Sequence, residues 1–162
     1  MATLHLICGT IASGKTTYAR KLMAEKPALL LSVDEVTLAL EGLLPPEKHD
    51  ATTLRVKQLL LAKARQALAA GLDVIFDWGF WQKEERAAME ATLRRDGIEH
   101  LWHYVDVSQE QLAKQIQKRN EAVLKGETSA YYVDEGLWQK CLSLFEAPDA
   151  GEIHIRYTPT DN

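Results

Sequence analysis

Short apolar runs alternate with longer segments of helical spacing along the whole chain. Continuous apolar runs are typical of strands buried on both faces of a parallel sheet, and apolar residues three or four positions apart are typical of amphipathic helices. The predicted strands are residues 4–8, 28–32, 72–76, a run within 98–107, and 152–157. The predicted helices are residues 16–26, 34–42, 51–70, 83–95, 108–124 and 133–146. This alternation predicts an α/β fold, with a five-stranded parallel sheet and right-handed crossovers that place helices on both faces.

Length and composition indicate one domain. The chain has 162 residues, of which 46% are hydrophobic and 26% are charged. A chain near this length buries roughly 70% of the surface that its unfolded form exposes, so a single core is sufficient for folding. No repeat or linker interrupts the pattern, and residues 1–162 are expected to form one domain. The polar segment 125–132, which contains two adjacent tyrosines, is predicted to be a loop within a mobile lid of about 119–133.

Composition and charge disfavour several classes of protein. No apolar run approaches the roughly 20 residues of a membrane span, and residues 1–5 lack the basic flank and apolar stretch of a signal peptide. Cys8 and Cys141 have no metal-like spacing, so reduced thiols in a cytoplasmic protein are the simplest interpretation. The formal net charge of −4 argues against a polynucleotide substrate, although a local basic groove can sit on an acidic protein.

A glycine-rich loop follows the first predicted strand. It matches the pattern G-x-x-x-x-G-K-[ST] in full and lies between a strand and a helix, where such a loop binds phosphate. The glycines let the backbone curl so that its N–H groups face a β-phosphate, and the start of the helix adds the positive end of its dipole. Lys15 is predicted to bridge the β- and γ-phosphates, and the Thr16 hydroxyl to bind Mg²⁺. This phosphate loop consists of Gly9, Thr10, Ile11, Ala12, Ser13, Gly14, Lys15 and Thr16.

Acidic residues follow the second and third predicted strands. Ligands of parallel α/β sheets bind at the carboxyl ends of the strands, so Asp34 and Asp77 are candidate site residues. Asp34 is placed to orient an attacking hydroxyl or to accept its proton; the alternative is that it only caps the helix that follows. Asp77 has no apparent capping role and is expected to hold Mg²⁺ through water.

The segment Trp78-Gly79-Phe80-Trp81, directly after the third predicted strand, is rich in aromatic residues. Aromatic side chains at a strand end can stack on a planar or apolar substrate, and they can equally pack beneath the next helix. The hypothesis is that Trp78 lines an acceptor pocket, with packing as the alternative.

Several shorter motifs accompany the phosphate loop. These are Asp34 after the second strand, Asp77-x-x-Phe80 followed by Arg86, Arg119 in a late helix, and Phe145-Glu146-Ala147-Pro148. Together they make nearly the whole chain resemble the small P-loop kinases, in particular the group that includes polynucleotide 5′-kinase domains, chloramphenicol phosphotransferase and the zeta toxins. The resemblance implies a P-loop NTPase three-layer sandwich, an ATP-binding kinase of AAA type, and a sheet in the strand order 2-3-1-4-5.

The resemblance also implies roles for individual residues. Gly9 to Thr17 would cradle the ATP phosphates, and Asp34 would activate the acceptor hydroxyl. Arg86 matches an arginine that faces the acceptor or the γ-phosphate, and Arg119 matches a lid arginine that contacts the nucleotide. Pro148 belongs to a turn that is similar to one these kinases place near the adenine.

Two departures from the family pattern bear on activity and substrate. Val123 stands where such lids often carry a second arginine, so the lid has one positive charge fewer. The aromatic segment 78–81 replaces the small polar residues that are usual between the strand and Arg86. The acceptor side is therefore expected to differ from that of the named relatives.

These observations predict a phosphotransferase that uses ATP and Mg²⁺ and transfers the γ-phosphate to a hydroxyl of a small-molecule acceptor. The net charge and the aromatic segment favour a small molecule over a nucleic-acid end. Two alternatives remain open: a 5′-hydroxyl polynucleotide kinase, and a nucleotide-dependent ATPase or switch that binds a protein partner. Asp34 discriminates the switch from the kinases, because a switch needs no carboxylate that activates a hydroxyl.

Overall fold

The computed structural model describes residues 1–160, in which strands and helices alternate along the chain. The strands are β1 (Leu4–Cys8), β2 (Ala28–Leu30), β3 (Asp73–Gly79), β4 (His100–Val105) and β5 (Ile155–Tyr157). The helices are α1 (Lys15–Glu25), α2 (Val33–Ala39), α3 (His49–Ala69), α4 (Lys83–Arg95), α5 (Gln109–Leu124) and α6 (Glu135–Leu144). Within residues 1–160, no helix has the length and apolar character that crossing a membrane requires.

The five strands form one parallel sheet in the order β2-β3-β1-β4-β5, so the predicted fold and strand order are confirmed. β1 is the central strand: Leu4 pairs with Val74 on β3 and with His100 on β4. Since parallel strands end at the same edge, the segments that follow β1 and β3 emerge side by side. The phosphate loop follows β1 at this carboxyl edge.

Side chains of the strands alternate between two apolar layers, because successive residues of a strand point to opposite faces of the sheet. On one face Leu4, Leu6 and Phe76 pack with apolar side chains of α3 and α4. On the other face Ile7 and Ile75 pack with side chains of α1. Helices cover both faces, which explains why the strands appear in the sequence as continuous apolar runs.

β3 is longer than the sequence predicted, and the extra length lies at the site. The prediction ended this strand at Phe76, yet the strand continues through Asp77 and Trp78 to Gly79. The register shifts here: Leu6 pairs with Phe76, and Cys8 pairs with Gly79, so β3 has one extra residue. Such a bulge bends a strand and redirects a side chain, and it places Asp77 inside the sheet edge rather than beyond it.

The larger remaining differences from the predicted boundaries lie at the sheet's edge strands, at α2, which ends at Ala39 rather than at residue 42, and at α6. β2 and β5 each pair with one neighbour only, and both have 3 residues. α6 begins at Glu135 because Asp134 is its N-cap, and the Asp134 carboxylate accepts a hydrogen bond from Leu137 N at 2.7 Å.

A chain of polar side chains crosses the face of the sheet that α1 covers. His103 is 1% exposed, and its ring nitrogens lie 3.0 Å from the Tyr18 hydroxyl and 3.0 Å from His5 Nδ1. The chain continues from His5 Nε2 to Asp73 at 3.7 Å, and from Asp73 to Lys26 at 2.6 Å. Burial lowers the pKa of both histidines, that of His103 to about 4, so His103 is neutral in the fold near neutral pH.

The stability of the fold is therefore expected to depend on pH through His103. As the pH falls from 6.5 toward about 4, the unfolded chain binds a proton at His103 that the folded protein does not, so the free energy of unfolding decreases. The full loss is on the order of 3 kcal/mol. Urea unfolding at a series of pH values measures this free energy. Because the carboxylates titrate in both proteins, the difference between wild type and His103→Gln isolates His103, and the free energy of His103→Gln should depend less steeply on pH. Equal slopes in the two proteins would contradict the assignment.

Candidate functional site

The phosphate loop depends on backbone conformations and close approaches that few residues tolerate. Gly14 and Ala12 both have positive φ, +93° and +56°. A Cβ at Gly9 would lie 2.7 Å from Ser13 Oγ, so a larger residue does not fit there. Gly9 N donates a hydrogen bond to the Gly79 carbonyl at 3.0 Å, which ties the start of the loop to the end of β3.

Two polar side chains of the loop are suited to an anion. Ser13 is fully buried, and its Oγ has no hydrogen-bond partner among residues 1–160. Lys15 Nζ donates to the Thr10 carbonyl at 2.6 Å. Burial lowers the pKa of Lys15, and the charges of Asp34 and Asp77 act in the opposite direction. A phosphate would supply the oxygens that an unpartnered hydroxyl and a partly desolvated cation need.

A hydroxyl and a carboxylate meet where the loop joins α1. Thr16 Oγ1 donates to Asp77 Oδ2 at 3.1 Å, and the other carboxylate oxygen, Oδ1, is buried with no partner among the described residues. Burial raises the pKa of Asp77, whereas hydrogen bonds from Thr16 and Ser32 and the charge of Lys15 lower it. Hydroxyl and carboxylate oxygens are the ligands that Mg²⁺ prefers, so the pair fits a magnesium ion held together with phosphate oxygens and water.

Asp34 lies in the first turn of α2 with its side chain exposed. Ser32 is the N-cap of this helix, and its hydroxyl accepts a hydrogen bond from Glu35 N at 3.3 Å. Capping therefore does not account for Asp34. Its negative charge raises the pKa of Lys15 and of Arg119 against the effect of burial, so the carboxylate acts on both cations.

Arg119 reaches the same region from α5. Its side chain is half-buried, and Nε donates to the Tyr131 carbonyl in the lid at 3.0 Å. Burial lowers its pKa, and Asp34 is the first of the charges that oppose this. The phosphate loop, Asp34, Asp77 and Arg119 thus come together at the carboxyl edge of β1 and β3, from four separate parts of the chain.

Arg86, by contrast, is directed into the protein. It is 3% exposed, and Nε donates to Glu152 Oε1 at 3.0 Å. Nη1 donates to the carbonyls of Phe80 and Glu146, both at 2.9 Å, and to that of Trp81 at 3.3 Å. These bonds hold the turn after β3, where Phe80 has a φ of +48°, to the segment before β5. The resemblance implied that Arg86 faces the acceptor or the γ-phosphate. In the structure its guanidinium instead cross-links the turn after β3 to the segment before β5.

Replacing Arg86 is expected to test that structural role. Arg86→Met leaves the Glu152 carboxylate and several carbonyls without their donor, and loss of one partner of a buried pair costs about 3 to 5 kcal/mol. Arg94→Met is the matched control on the same helix, because Arg94 is 78% exposed and its pair with Glu90 is at the surface, where such pairs contribute about 0.5 kcal/mol or less. Urea unfolding of both variants measures the difference. An Arg86→Met protein as stable as Arg94→Met would contradict the cross-link.

Trp78 packs within the protein, as the alternative interpretation expected, and a place in an acceptor pocket stays a prediction. Its Nε1 donates to the Leu31 carbonyl at 2.8 Å, and the ring stacks on Phe76 with centroids 3.9 Å apart. It also packs against the cluster of Val33 and Val56, which joins α2 to α3. Most of the ring is thus engaged in packing, and the side chain is only partly exposed.

The turn that contains Pro148 is fastened to the start of α4. Glu146 N donates to the Trp81 carbonyl at 2.8 Å, and the Glu146 carboxylate accepts from Lys83 N at 2.8 Å. Pro148 itself is buried, and Phe145 packs on the face of the sheet that α3 and α4 cover. Placement of this turn near an adenine stays a prediction, as does the part of Thr17 in binding phosphate.

Three hydroxyl residues at the site carry no clear signal in the sequence. Ser32 caps α2 and lowers the pKa of Asp77, and its position at the end of a predicted strand is the one indication of it. The hydroxyls of Thr37 and Tyr131 lie 3.0 Å apart although 94 positions separate them in the chain. Local patterns do not reveal such a long-range pair.

Comparisons with known proteins identify the family of the chain and its fold. A model of an AAA domain family (AAA_33) matches residues 4–148. No curated protein matches the sequence significantly. Among solved structures, a Chloroflexus aurantiacus protein with a provisional kinase designation has a TM-score of 0.71 at 19% identity, over 98% of this chain and 84% of that one.

Two further structures are kinases by name. APS kinase CysC of Mycobacterium tuberculosis, solved with AMPPNP and APS, has a TM-score of 0.67 at 20% identity, over 99% of this chain and 90% of that one. A gluconokinase of Sinorhizobium meliloti has a TM-score of 0.63 at 15% identity, over 99% of this chain and 84% of that one. At these identities the likeness establishes the fold. The chain belongs to the AAA domain family, and its fold is that of the small P-loop kinases.

Proposed function

We propose that this protein is an ATP-dependent kinase that transfers the γ-phosphate to a hydroxyl of a small, uncharged acceptor. The observation that carries the proposal is the convergence of an exposed carboxylate, Asp34, with two cations, Lys15 and Arg119, beside a complete phosphate loop. A nucleotide-binding loop alone requires no such carboxylate. Its position supports a reaction in which a proton leaves an attacking hydroxyl.

Residues of the phosphate loop would bind the ATP phosphates. Phosphate oxygens would accept from the loop N–H groups and from the buried Ser13 hydroxyl, and Lys15 would turn from the Thr10 carbonyl to the β- and γ-phosphates. This exchange replaces a neutral acceptor by a charged one, which makes a stronger hydrogen bond.

Thr16 and Asp77 would hold Mg²⁺ at the junction of the loop and α1. The unpartnered Oδ1 of Asp77 is the observation that supports this, because a buried carboxylate oxygen without a donor is costly. When bound, the ion neutralises charge on the phosphates and orients them. The hydrogen bond from Thr16 fixes the direction of the carboxylate.

In the transfer, Asp34 would accept the proton of the acceptor hydroxyl. The hydroxyl oxygen forms a bond to the γ-phosphorus while the bond from that phosphorus to the β,γ-bridging oxygen breaks, so the products are a phosphate ester, ADP and a proton on the carboxylate. Lys15 and Arg119 would stabilise the negative charge on the transferring group. Arg119 comes from the lid side, so its approach also helps to exclude water.

The charges near Trp78 support an uncharged acceptor. Lys57 lies 6.0 Å from the centroid of the Trp78 ring, and its ammonium is paired with Glu85. Arg86 is occupied by Glu152. These two cations are already paired with the protein's own carboxylates, so neither offers an unpaired positive charge to an anionic acceptor. The exposed part of the indole offers apolar contact instead.

Phosphate transfer from γ-labelled ATP with Mg²⁺ tests the proposal, with pooled small-molecule hydroxyl compounds and a 5′-hydroxyl oligonucleotide offered in parallel. Wild type should label a small molecule. Asp34→Asn keeps the shape of the side chain and removes the base, and it should lower the transfer rate by at least about 100-fold. Glu35→Gln is the matched control, because Glu35 is the neighbouring exposed acid in the same turn, and its rate should stay within about twofold.

Other outcomes would contradict the proposal in distinguishable ways. Label on the oligonucleotide would identify a polynucleotide kinase. ATP hydrolysis that is equal in wild type and Asp34→Asn, with no labelled product from either acceptor set, would identify an ATPase or switch.

A further inference from the structure

The lid is joined to the acceptor-side helix α2 through one residue, Tyr131. Its hydroxyl lies 3.0 Å from Thr37 Oγ1, and its carbonyl accepts the hydrogen bond from Arg119 Nε at 3.0 Å. One residue of the lid therefore contacts α2 with its side chain and Arg119 with its backbone.

The Thr37 hydroxyl lies within hydrogen-bonding distance of two groups, the Asp34 carbonyl at 3.3 Å and the Tyr131 hydroxyl at 3.0 Å. When its single proton is donated to the carbonyl, it accepts from the phenol of Tyr131. The resulting path runs from the backbone of Asp34, through Thr37 and Tyr131, to the guanidinium of Arg119. It links the proposed base to the proposed charge-stabilising cation without passing through a ligand.

The rest of the lid is held to the phosphate-loop side. The Asn120 side chain pairs with both backbone groups of Val133, donating to its carbonyl at 2.6 Å and accepting from its N–H at 2.8 Å. Val133 is 2% exposed and packs with Ile11 and Ala12 of the phosphate loop. These contacts hold this end of the lid beside the phosphate loop, and the Tyr131–Thr37 bond, two residues away, joins the same end to α2.

The use of Nε leaves the outer nitrogens of Arg119 available. Within residues 1–160 the Arg119 guanidinium makes a single hydrogen bond, from Nε to Tyr131. Both Nη1 and Nη2 can therefore donate to a phosphate. A bond at Nε limits rotation of the planar group and sets the direction in which those nitrogens face.

We propose that Tyr131 is a positioning residue for phosphoryl transfer: anchored on Thr37, it holds Arg119 at the correct distance from Asp34. The inference rests on the proposed function, in that it treats Arg119 as the cation that meets the transferring phosphate. It adds two residues, Tyr131 and Thr37, that touch neither nucleotide nor acceptor in this account and act through Arg119 alone.

Turnover of MgATP to ADP and phosphate, with water as the acceptor, tests the inference independently of the acceptor's identity. Tyr131→Phe and Thr37→Val each remove one hydroxyl at nearly constant shape, and each should lower kcat about fivefold, the factor that corresponds to a typical neutral hydrogen bond, with KM for ATP changed less than about twofold. The double variant should be no slower than either single variant, because both break the same bond. Thr37→Ser keeps the hydroxyl and should restore the wild-type kcat.

The matched control is Tyr132→Phe, the same chemical change at the next position. Tyr132 is 47% exposed, and its kcat should equal that of wild type. Thermal unfolding of every variant at the assay buffer ensures that rates are compared on folded protein.

The decisive experiment compares Arg119→Ala with the double variant that also carries Tyr131→Phe. If Tyr131 acts through Arg119, Tyr131→Phe should cause no further loss of kcat when the arginine is absent. A fivefold loss that persists in this background, an effect of Tyr131→Phe on KM alone, or additive losses in the double variant would overturn the inference. If the wild-type protein neither binds AMPPNP nor hydrolyses ATP, the proposed function and this inference are both overturned. If the wild-type protein hydrolyses ATP and Tyr131→Phe does so at the same rate, the inference alone is overturned.

Discussion

The contact between Thr16 and Asp77 connects the phosphate loop to the sheet, and the rest of the site is arranged around it. It places a carboxylate with one unpartnered oxygen at the edge of a buried central strand. Burial of such a group is unfavourable unless hydrogen bonds and nearby cations compensate, and here the hydrogen bond from Thr16 and the charge of Lys15 do so in part. The incomplete compensation is the physical reason to expect a cation between Asp77 and the phosphates. The bulge in β3 is the local device that brings Asp77 to this point.

The positive charges of this region are divided between two tasks. Arg86 is buried and hydrogen-bonded within the fold, to Glu152 and to the carbonyls of the turn after β3. Lys15 and Arg119 stay at the carboxyl edge, opposite Asp34. Because the lid has a single arginine, its stabilisation of the transferring phosphate depends strongly on how Arg119 is oriented. The hydrogen bond from Arg119 to Tyr131 sets that orientation.

The sequence predicted what short-range patterns encode. The strands and the phosphate loop follow from apolar runs and glycine positions, the strand order follows from the resemblance to the small P-loop kinases, and all three are found in the structure. The roles of Arg86 and Arg119 could not be separated in this way, because both lie on polar helices with acidic neighbours. What distinguishes them is long-range: the partner of Arg86 is 66 positions away, and the Tyr131–Thr37 pair that accompanies Arg119 spans 94. The end of β3 was misplaced for a related reason, since hydrogen bonding to β1 carries the strand past a carboxylate that would ordinarily end it.

The magnesium dependence of nucleotide affinity tests the account of Asp77 most directly. The affinity for AMPPNP is measured by calorimetry with and without Mg²⁺, in wild type and in Asp77→Asn, which keeps the shape of the side chain and removes its charge. The account predicts that Mg²⁺ strengthens binding to wild type about tenfold or more and that Asp77→Asn loses this enhancement, while its affinity without the ion stays within about threefold of wild type. An Asp77→Asn protein that keeps the full enhancement, or one whose affinity falls equally with and without Mg²⁺, would contradict the claim that Asp77 and Thr16 form the magnesium site.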